Sequence, residues 1–201
     1  MASHRTHGNG IADGVLNRLL AGNRRFASGA AAHPNTTRER RVQVAGTPRP
    51  FAMILGCSDS RVPPEILFDE GLGDLFVVRV AGNIVDDAVT GSIEYAVEHL
   101  GTPLVLVMGH EKCGAVQATL GGGEPGTHIQ SLVEAIAPAV AEARKNPGEL
   151  LGNAVRANVQ LVVKQLRQSG PILADQLRRK RVKIVGAVYE LDRGSVLLLP
   201  E

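Results

Sequence analysis

The sequence predicts an α/β fold: a mainly parallel β-sheet flanked by helices, with an N-terminal helical arm. Short continuous apolar runs, typical of strands buried on both faces, alternate with longer segments whose apolar residues recur every three or four positions. The 201 residues are 44% apolar and 21% charged, which is enough for one sizeable core and too apolar for a disordered chain. We therefore expect a single α/β domain over residues 1–201.

The elements follow from these two patterns. A polar segment, residues 1–10, is expected to be disordered, and residues 11–50 form the N-terminal helical arm, with an amphipathic helix at Ile11–Ser28 and a short one near Arg38–Val44. The predicted strands are Phe51–Gly56, Leu75–Val80, Leu104–Met108 and Val182–Val188, with an edge strand at Ser195–Leu199. The predicted helices between them are Ala88–Leu100, Ala115–Leu120, Ile129–Lys145, Leu150–Gln168 and Ile172–Lys180.

Composition excludes several classes of partner. Lys and Arg total 22 against 20 Asp and Glu, and there are two Tyr, four Phe and no Trp, so we expect no nucleic-acid partner. No apolar run approaches the roughly 20 residues that span a bilayer, and no signal-peptide pattern follows the N-terminus. We expect a cytoplasmic protein without a membrane partner.

Polar segments follow two of the predicted strands directly. Gly56–Arg61 (GCSDSR) comes after the first strand, and Gly109–Gly114 (GHEKCG) comes after the third. The carboxyl ends of parallel strands lie at one edge of a sheet, where α/β proteins bind ligands. If these strands are neighbours, four side chains converge there: Cys57, Asp59, His110 and Cys113.

Two thiolates and one imidazole form a ligand set suited to tetrahedral Zn²⁺. Asp59 is an ambiguous fourth ligand, because Arg61 competes for it as an ion-pair partner. We expect His110 and Cys113 to share one face of a first helical turn. There, Lys112 and the positive end of the helix would lower the pKa of the thiols.

Other chemistries remain open for the same residues. A Cys57–Cys113 disulfide is possible in principle, and a nucleophilic Cys57–His110 pair is the main alternative without metal, although it leaves Cys113 idle. A phosphate-binding loop is excluded, because Ala115 and Val116 stand where it needs Lys and Ser or Thr. A closed structural zinc site is disfavoured, since a large α/β domain does not need metal in order to fold.

The two motifs resemble those of the β-class carbonic anhydrases. Cys57-Ser58-Asp59-Ser60-Arg61 matches the family's C-x-D-x-R, and His110-Glu111-Lys112-Cys113 matches its H-x-x-C some fifty residues later. The resemblance extends over nearly the whole chain, through Leu19–Phe26, Val62–Asp69, Gly71–Asn83, Gly91–Leu100 and the region of Tyr189.

The resemblance implies a zinc enzyme that interconverts CO2 and bicarbonate by attack of zinc-bound hydroxide. One Zn²⁺ per chain would be held by Cys57, His110 and Cys113. Asp59 would pair with Arg61 in an open site and accept a hydrogen bond from the hydroxide. In some members of the family, the equivalent carboxylate binds zinc at low pH and closes the site.

The resemblance also implies a small apolar substrate cleft. Phe76 and Tyr95 would line it, partly from a neighbouring subunit, and Gly114 would contact substrate. The N-terminal helix would wrap a partner, giving a homodimer or homotetramer. Many members of the family carry a substrate-holding Gln where this chain has Pro48, and others carry a Trp where it has Ile54.

Two alternative functions share this fold. Hydrolysis of CS2 or COS could use the same zinc hydroxide, depending on the shape of an access tunnel. A non-enzymatic zinc- or bicarbonate-binding protein would typically have lost Asp59, Arg61 or a metal ligand, and all are present.

Overall fold

The computed structural model describes residues 7–123 and 125–200, and its centre is one five-stranded sheet. The strands are β1 (Ala52–Gly56), β2 (Leu75–Arg79), β3 (Leu104–His110), β4 (Lys183–Tyr189) and β5 (Val196–Leu198). Their order across the sheet is β2-β1-β3-β4-β5. The first four strands are parallel and β5 runs antiparallel to β4, which confirms the predicted mainly parallel sheet.

The helices also follow the predicted order. They are α1 (His7–Ala27), α2 (Arg38–Val44), α3 (Pro64–Leu67), α4 (Asp87–Glu98), α5 (Gly114–Gly121), α6 (Ile129–Ala143), α7 (Leu150–Gln168) and α8 (Ile172–Arg178). Helix α3 and a 3₁₀ turn at Ala81–Asn83 were not predicted, because each is shorter than a sequence period can reveal. Within the described ranges, no helix is both long and apolar enough to cross a membrane.

One expectation about the N-terminus needs correction. Helix α1 begins at His7, so residues 7–10, expected to be disordered, are helical. This segment carries no apolar repeat, which is why the pattern placed the start of the helix at Ile11. Residues 1–6 lie outside the described part of the chain.

The sheet is buried as its apolar runs predict. Every residue of β1 and β3 is buried, whereas β2 is only half-buried, as suits its place at the edge. Helix α7 packs against β3 and β4, and α6 packs against α7. Gly109 and Gly186 permit this close approach, since a Cβ on either would lie within 3 Å of the Val159 side chain.

The N-terminal arm is anchored on its own chain. The buried Asn23 donates to the carbonyls of Leu67 and Gly194 and accepts from the N–H of Val196. These three bonds connect α1 to the end of α3 and to the start of β5. The amide of Asn23 therefore fixes the packing of the arm.

A buried carboxylate reinforces this attachment. Asp69 accepts hydrogen bonds from Arg25 Nε at 2.5 Å and from the backbone N–H groups of Ala32 and His33 at 3.0 and 2.8 Å. Burial acts to raise the pKa of Asp69, but these three donors outweigh it and the pKa is lowered. Asp69 is therefore held as a carboxylate beneath the arm.

The contact between α1 and α3 leaves no room for a side chain at Gly22. A Cβ there would lie 1.8 Å from the carbonyl oxygen of Phe68. Gly22→Ala should therefore lower the free energy of unfolding by at least about 2 kcal/mol, measured by denaturant unfolding. Gly14→Ala, in the same helix with open space around it, is the matched control and should stabilise by about 0.5–1 kcal/mol. Equal stability of the two variants would contradict the packing of the arm.

Candidate active site

The two motifs meet because their strands are neighbours. Strand β1 pairs in parallel with β3, and Gly56 lies opposite Met108, so the segments that follow share one edge of the sheet. There the ligand atoms of Cys57, His110 and Cys113 all lie within 4.8 Å of one another, and all three residues are buried. The predicted convergence of these side chains is confirmed.

His110 presents a free ring nitrogen to this cluster. It is the last residue of β3, and its Nδ1 lies 2.8 Å from the carbonyl oxygen of Glu111. Since a carbonyl can only accept, Nδ1 carries the proton and Nε2 keeps its lone pair. Nε2 is buried and has no hydrogen-bond partner among the described residues, a costly arrangement unless it binds something else.

The local geometry predicted for His110 and Cys113 is wrong. His110 belongs to a strand, Lys112 has a positive φ of 51°, and Cys113 is the extended N-cap residue of α5. Tertiary packing thus replaces the expected helical turn with a tight loop. Lys112 does not serve the thiols either, because its exposed ammonium lies 3.4 Å from the Asp192 carboxylate.

The two cysteines are buried free thiols that lie next to each other. Their Sγ atoms are 4.0 Å apart, so the structure contains no disulfide between them. A hydrogen bond from the Cys113 thiol lowers the pKa of Cys57, and the same bond, together with burial, raises the pKa of Cys113. The pair therefore favours one thiolate and one thiol, and a bound metal cation would displace the remaining proton.

These residues fit a zinc ion. Two sulfurs bound at about 2.3 Å to one tetrahedral ion lie about 3.8 Å apart, close to the 4.0 Å observed between Cys57 and Cys113. The unpartnered Nε2 of His110 supplies a third donor. A nucleophilic Cys57–His110 pair would give Cys113 no role, whereas a metal would use all three.

Asp59 belongs to an ion pair beside the cluster. Arg61 donates from Nε to Oδ1 at 2.9 Å and from Nη2 to Oδ2 at 2.7 Å, and also to the carbonyl of Lys112. The side-chain bonds from Arg61 lower the pKa of Asp59 below its usual range, against the opposing effect of burial. Oδ2 is 3.9 Å from His110 Nε2, so the carboxylate lies at the mouth of the cluster.

Comparison with known proteins assigns the family. A family model described as carbonic anhydrase matches residues 52–196, which include both motifs. The chain belongs to the β-class carbonic anhydrases. It is 41% identical over 184 residues to carbonic anhydrase 2 of Mycobacterium tuberculosis and 43% identical over 184 residues to a carbonic anhydrase of Mycolicibacterium smegmatis. Each match covers 90% of this chain and 89% of the relative.

A solved structure supports the same assignment. The β-carbonic anhydrase of Coccomyxa is 32% identical and superimposes with a TM-score of 0.73, covering 92% of this chain and 86% of the other. The mixed sheet and its flanking helices are therefore the fold of the β-carbonic anhydrases.

Two residues of this β-carbonic anhydrase site were not identified from the sequence. Arg79 donates to the backbone carbonyls of Cys57 and Asp59, at 2.9 and 2.6 Å, and so fixes the loop that carries the first motif. Gly82 donates its N–H to Cys57 Sγ at 3.3 Å. The only feature of the sequence that could have pointed to Arg79 is that it is the single charged residue in the otherwise apolar strand β2.

The expected cleft residues lie apart from the cluster of their own chain. Phe76 is in register with Met53, four residues and about 13 Å along the strand direction from Cys57. The Phe76 and Tyr95 rings are 6.2 Å apart, and Tyr95 is 49% exposed. Gly114 is exposed at the start of α5, directly after Cys113. A role for these residues in substrate binding stays a prediction.

Proposed function

We propose that this chain catalyses the reversible hydration of CO2 to bicarbonate and a proton, with one zinc ion held by Cys57, His110 and Cys113. The observation that carries the proposal is the cluster of three buried donors, with the unpartnered Nε2 of His110 among them. Membership of the β-carbonic anhydrase family supports the reaction.

Zinc would supply the nucleophile. When bound, it lowers the pKa of a water ligand from 15.7 to about 7, which makes hydroxide available at neutral pH. Three protein ligands leave one position open, the pattern of catalytic zinc sites. The thiol pair accommodates the cation by losing its shared proton, and the Nδ1 bond of His110 holds the imidazole ring in place.

Asp59 would orient the reacting oxygen. Its lowered pKa keeps the carboxylate ionised at neutral pH, so it can only accept a hydrogen bond. The bond with Arg61 holds the carboxylate at the rim and occupies it, which opposes its binding to the metal as a fourth ligand. Asp59 and Arg61 therefore act as one unit.

The substrate would enter an apolar cleft completed by a second subunit. CO2 carries no charge, so its binding depends on shape and apolar contact. In the single chain, the ring of Phe76 is half-buried and that of Tyr95 is exposed. Exposed aromatic surface of this kind is typical of residues that a neighbouring subunit covers in an assembly. We propose a homodimer or homotetramer in which these rings line a neighbour's cleft and Gly114 contacts the substrate.

A stopped-flow assay of CO2 hydration between pH 6 and 9, with metal analysis of the same sample, tests the proposal. We expect about one zinc per chain and rapid hydration. A metal-free preparation with full activity would exclude the zinc mechanism. Hydrolysis of COS or CS2 without CO2 hydration would favour the alternative substrates, and bound zinc without any activity would indicate a binding protein.

A further inference from the structure

A buried amide interrupts the apolar face of α7. Asn158 is only 1% exposed and lies on the face that presents Val155, Val159 and Val162 to the core. Placing an amide among valines is unfavourable unless the amide makes hydrogen bonds. Its Oδ1 has no partner among the described residues, whereas Nδ2 donates to the carbonyl of Gly82 at 2.8 Å. Within the described part of the chain, this single bond is what offsets the cost of burying Asn158.

The residue that Asn158 contacts is itself in contact with a metal ligand. The N–H of Gly82 donates to Cys57 Sγ at 3.3 Å. The N–H and the carbonyl of Gly82 flank one Cα, so holding the carbonyl limits how the N–H can turn. Two hydrogen bonds, one at each side of Gly82, therefore link Asn158 to Cys57.

The backbone at Gly82 has little freedom to find another position. Its φ is +72°, a region that favours glycine, and a Cβ would lie 2.6 Å from Ile136 Cδ1. The next residue, Asn83, also has a positive φ of 44°. Two consecutive residues with positive φ form a strained turn that must be held by the structure around it. The side chain of Asn158, on α7, supplies one such contact through its hydrogen bond to the Gly82 carbonyl.

A hydrogen bond from a backbone N–H to a thiolate affects a metal site in two ways. It stabilises the negative charge on sulfur, and it fixes the direction of the sulfur lone pairs. Outer hydrogen bonds of this kind typically change metal affinity by about 10–100-fold. The Gly82 N–H is placed to do both for Cys57.

We propose that Asn158 is a positioning residue for the metal site: its bond to the Gly82 carbonyl aims the Gly82 N–H at Cys57 Sγ. The proposal rests on the proposed function, in which Cys57 binds zinc. Asn158 touches neither metal nor substrate, and it acts only through Gly82.

The test compares Asn158→Leu and Asn158→Ala with Val162→Ala. Leucine is close to asparagine in size. Alanine is the smaller replacement, used in case leucine prevents folding. Both lack the amide N–H that donates to Gly82. Val162 is buried one turn further along α7, so Val162→Ala reports the cost of a core defect that leaves the Gly82 bond intact. Each protein is measured as the full chain, per mole of folded protein.

Two readouts separate positioning from stability. Zinc affinity, measured by competition with a chromophoric chelator, should fall by about 10–100-fold in both Asn158 variants and stay unchanged in Val162→Ala. In the Co²⁺-substituted proteins, the sulfur-to-cobalt charge-transfer band should move to longer wavelength, because a thiolate without its N–H donor is easier to oxidise. Lost core packing alone does not move this band.

The possible failures are distinguishable. If the wild-type protein binds no zinc, the proposed function fails. If the wild-type protein binds zinc and hydrates CO2, while either Asn158 variant keeps the same zinc affinity and the same cobalt band, Asn158 has no positioning role. Equal losses of affinity in Val162→Ala and the Asn158 variants would also overturn the proposal.

Discussion

Cys113→Ala is expected to reduce bound zinc from about one ion per chain to a small fraction and to lower the rate of CO2 hydration by at least about 10³-fold. The variant keeps only Cys57 Sγ and His110 Nε2 of the three clustered donors. Two donors cannot complete a catalytic zinc site, and without the metal no hydroxide forms at neutral pH.

Metal analysis and stopped-flow kinetics on one preparation measure both effects. Cys57→Ala and His110→Ala should behave alike, because all three donors belong to one site. Ser58→Ala is the matched control, since Ser58 is the exposed neighbour of Cys57 and contributes no donor to the cluster. Circular dichroism should show that the variants are folded. A Cys113→Ala protein with a full complement of zinc and an unchanged rate would contradict the site.

The sequence could predict where Cys57, His110 and Cys113 meet because buried parallel strands leave a clear pattern. Continuous apolar runs identified β1 and β3, and the polar segments after them had to lie at the carboxyl edge. The one uncertain step was whether these strands are neighbours, and the register of Gly56 with Met108 confirms that they are. The proposal that these three side chains bind zinc rests on their residue types.

The path of the chain between His110 and Cys113 could not be predicted in the same way. A spacing of three residues suits a helical turn, but the actual loop places Lys112 in a left-handed conformation and makes Cys113 a cap residue. The conformation of so short a segment is decided by what packs against it. Here Glu111 bonds through its backbone N–H to Tyr189 and through its carboxylate to the N–H of Leu191.

Contacts from distant parts of the chain that support the three clustered residues also could not be predicted. Arg79 lies 22 residues from Cys57 in sequence, and Asn158 lies 76 residues from Gly82. Neither contact produces a periodic pattern, and a single sequence carries no trace of such pairings. A buried asparagine within a valine-rich helix becomes informative only when its burial is known.

Asp59→Ala is expected to keep its zinc and to hydrate CO2 about 10²-fold more slowly. This loss is typical when a side chain that positions a transferring proton is removed. The carboxylate of Asp59 is outside the three clustered donors, and three bonds hold it to Arg61, two from the side chain and one from the backbone N–H. Removing it should therefore spare metal binding and affect only the orientation of the reacting oxygen. The combination of normal zinc content with a low kcat would distinguish Asp59 from the three ligands.

The pH profile sharpens this prediction. The bonds from Arg61 lower the pKa of Asp59, so the carboxylate stays ionised and paired throughout pH 6 to 9. In the wild-type protein, the titration of Asp59 should therefore cause no loss of activity in this range. Arg61→Ala removes both side-chain bonds and keeps the bond from the backbone N–H of residue 61 to Oδ1. It leaves Oδ2, 3.9 Å from His110 Nε2, free to compete for the metal.

We expect the Arg61→Ala protein to keep its zinc and to lose proportionally more activity at pH 6 than at pH 9, because hydroxide competes less well with a carboxylate at low pH. Arg193→Ala is the charge-matched control, since Arg193 is an exposed cation paired with Glu190, which lies outside the cluster. A steep loss of wild-type activity below about pH 8 would mean that Arg61 does not hold Asp59 away from the metal. Full activity of Asp59→Ala would remove this carboxylate from the mechanism, whatever the behaviour of Arg61→Ala.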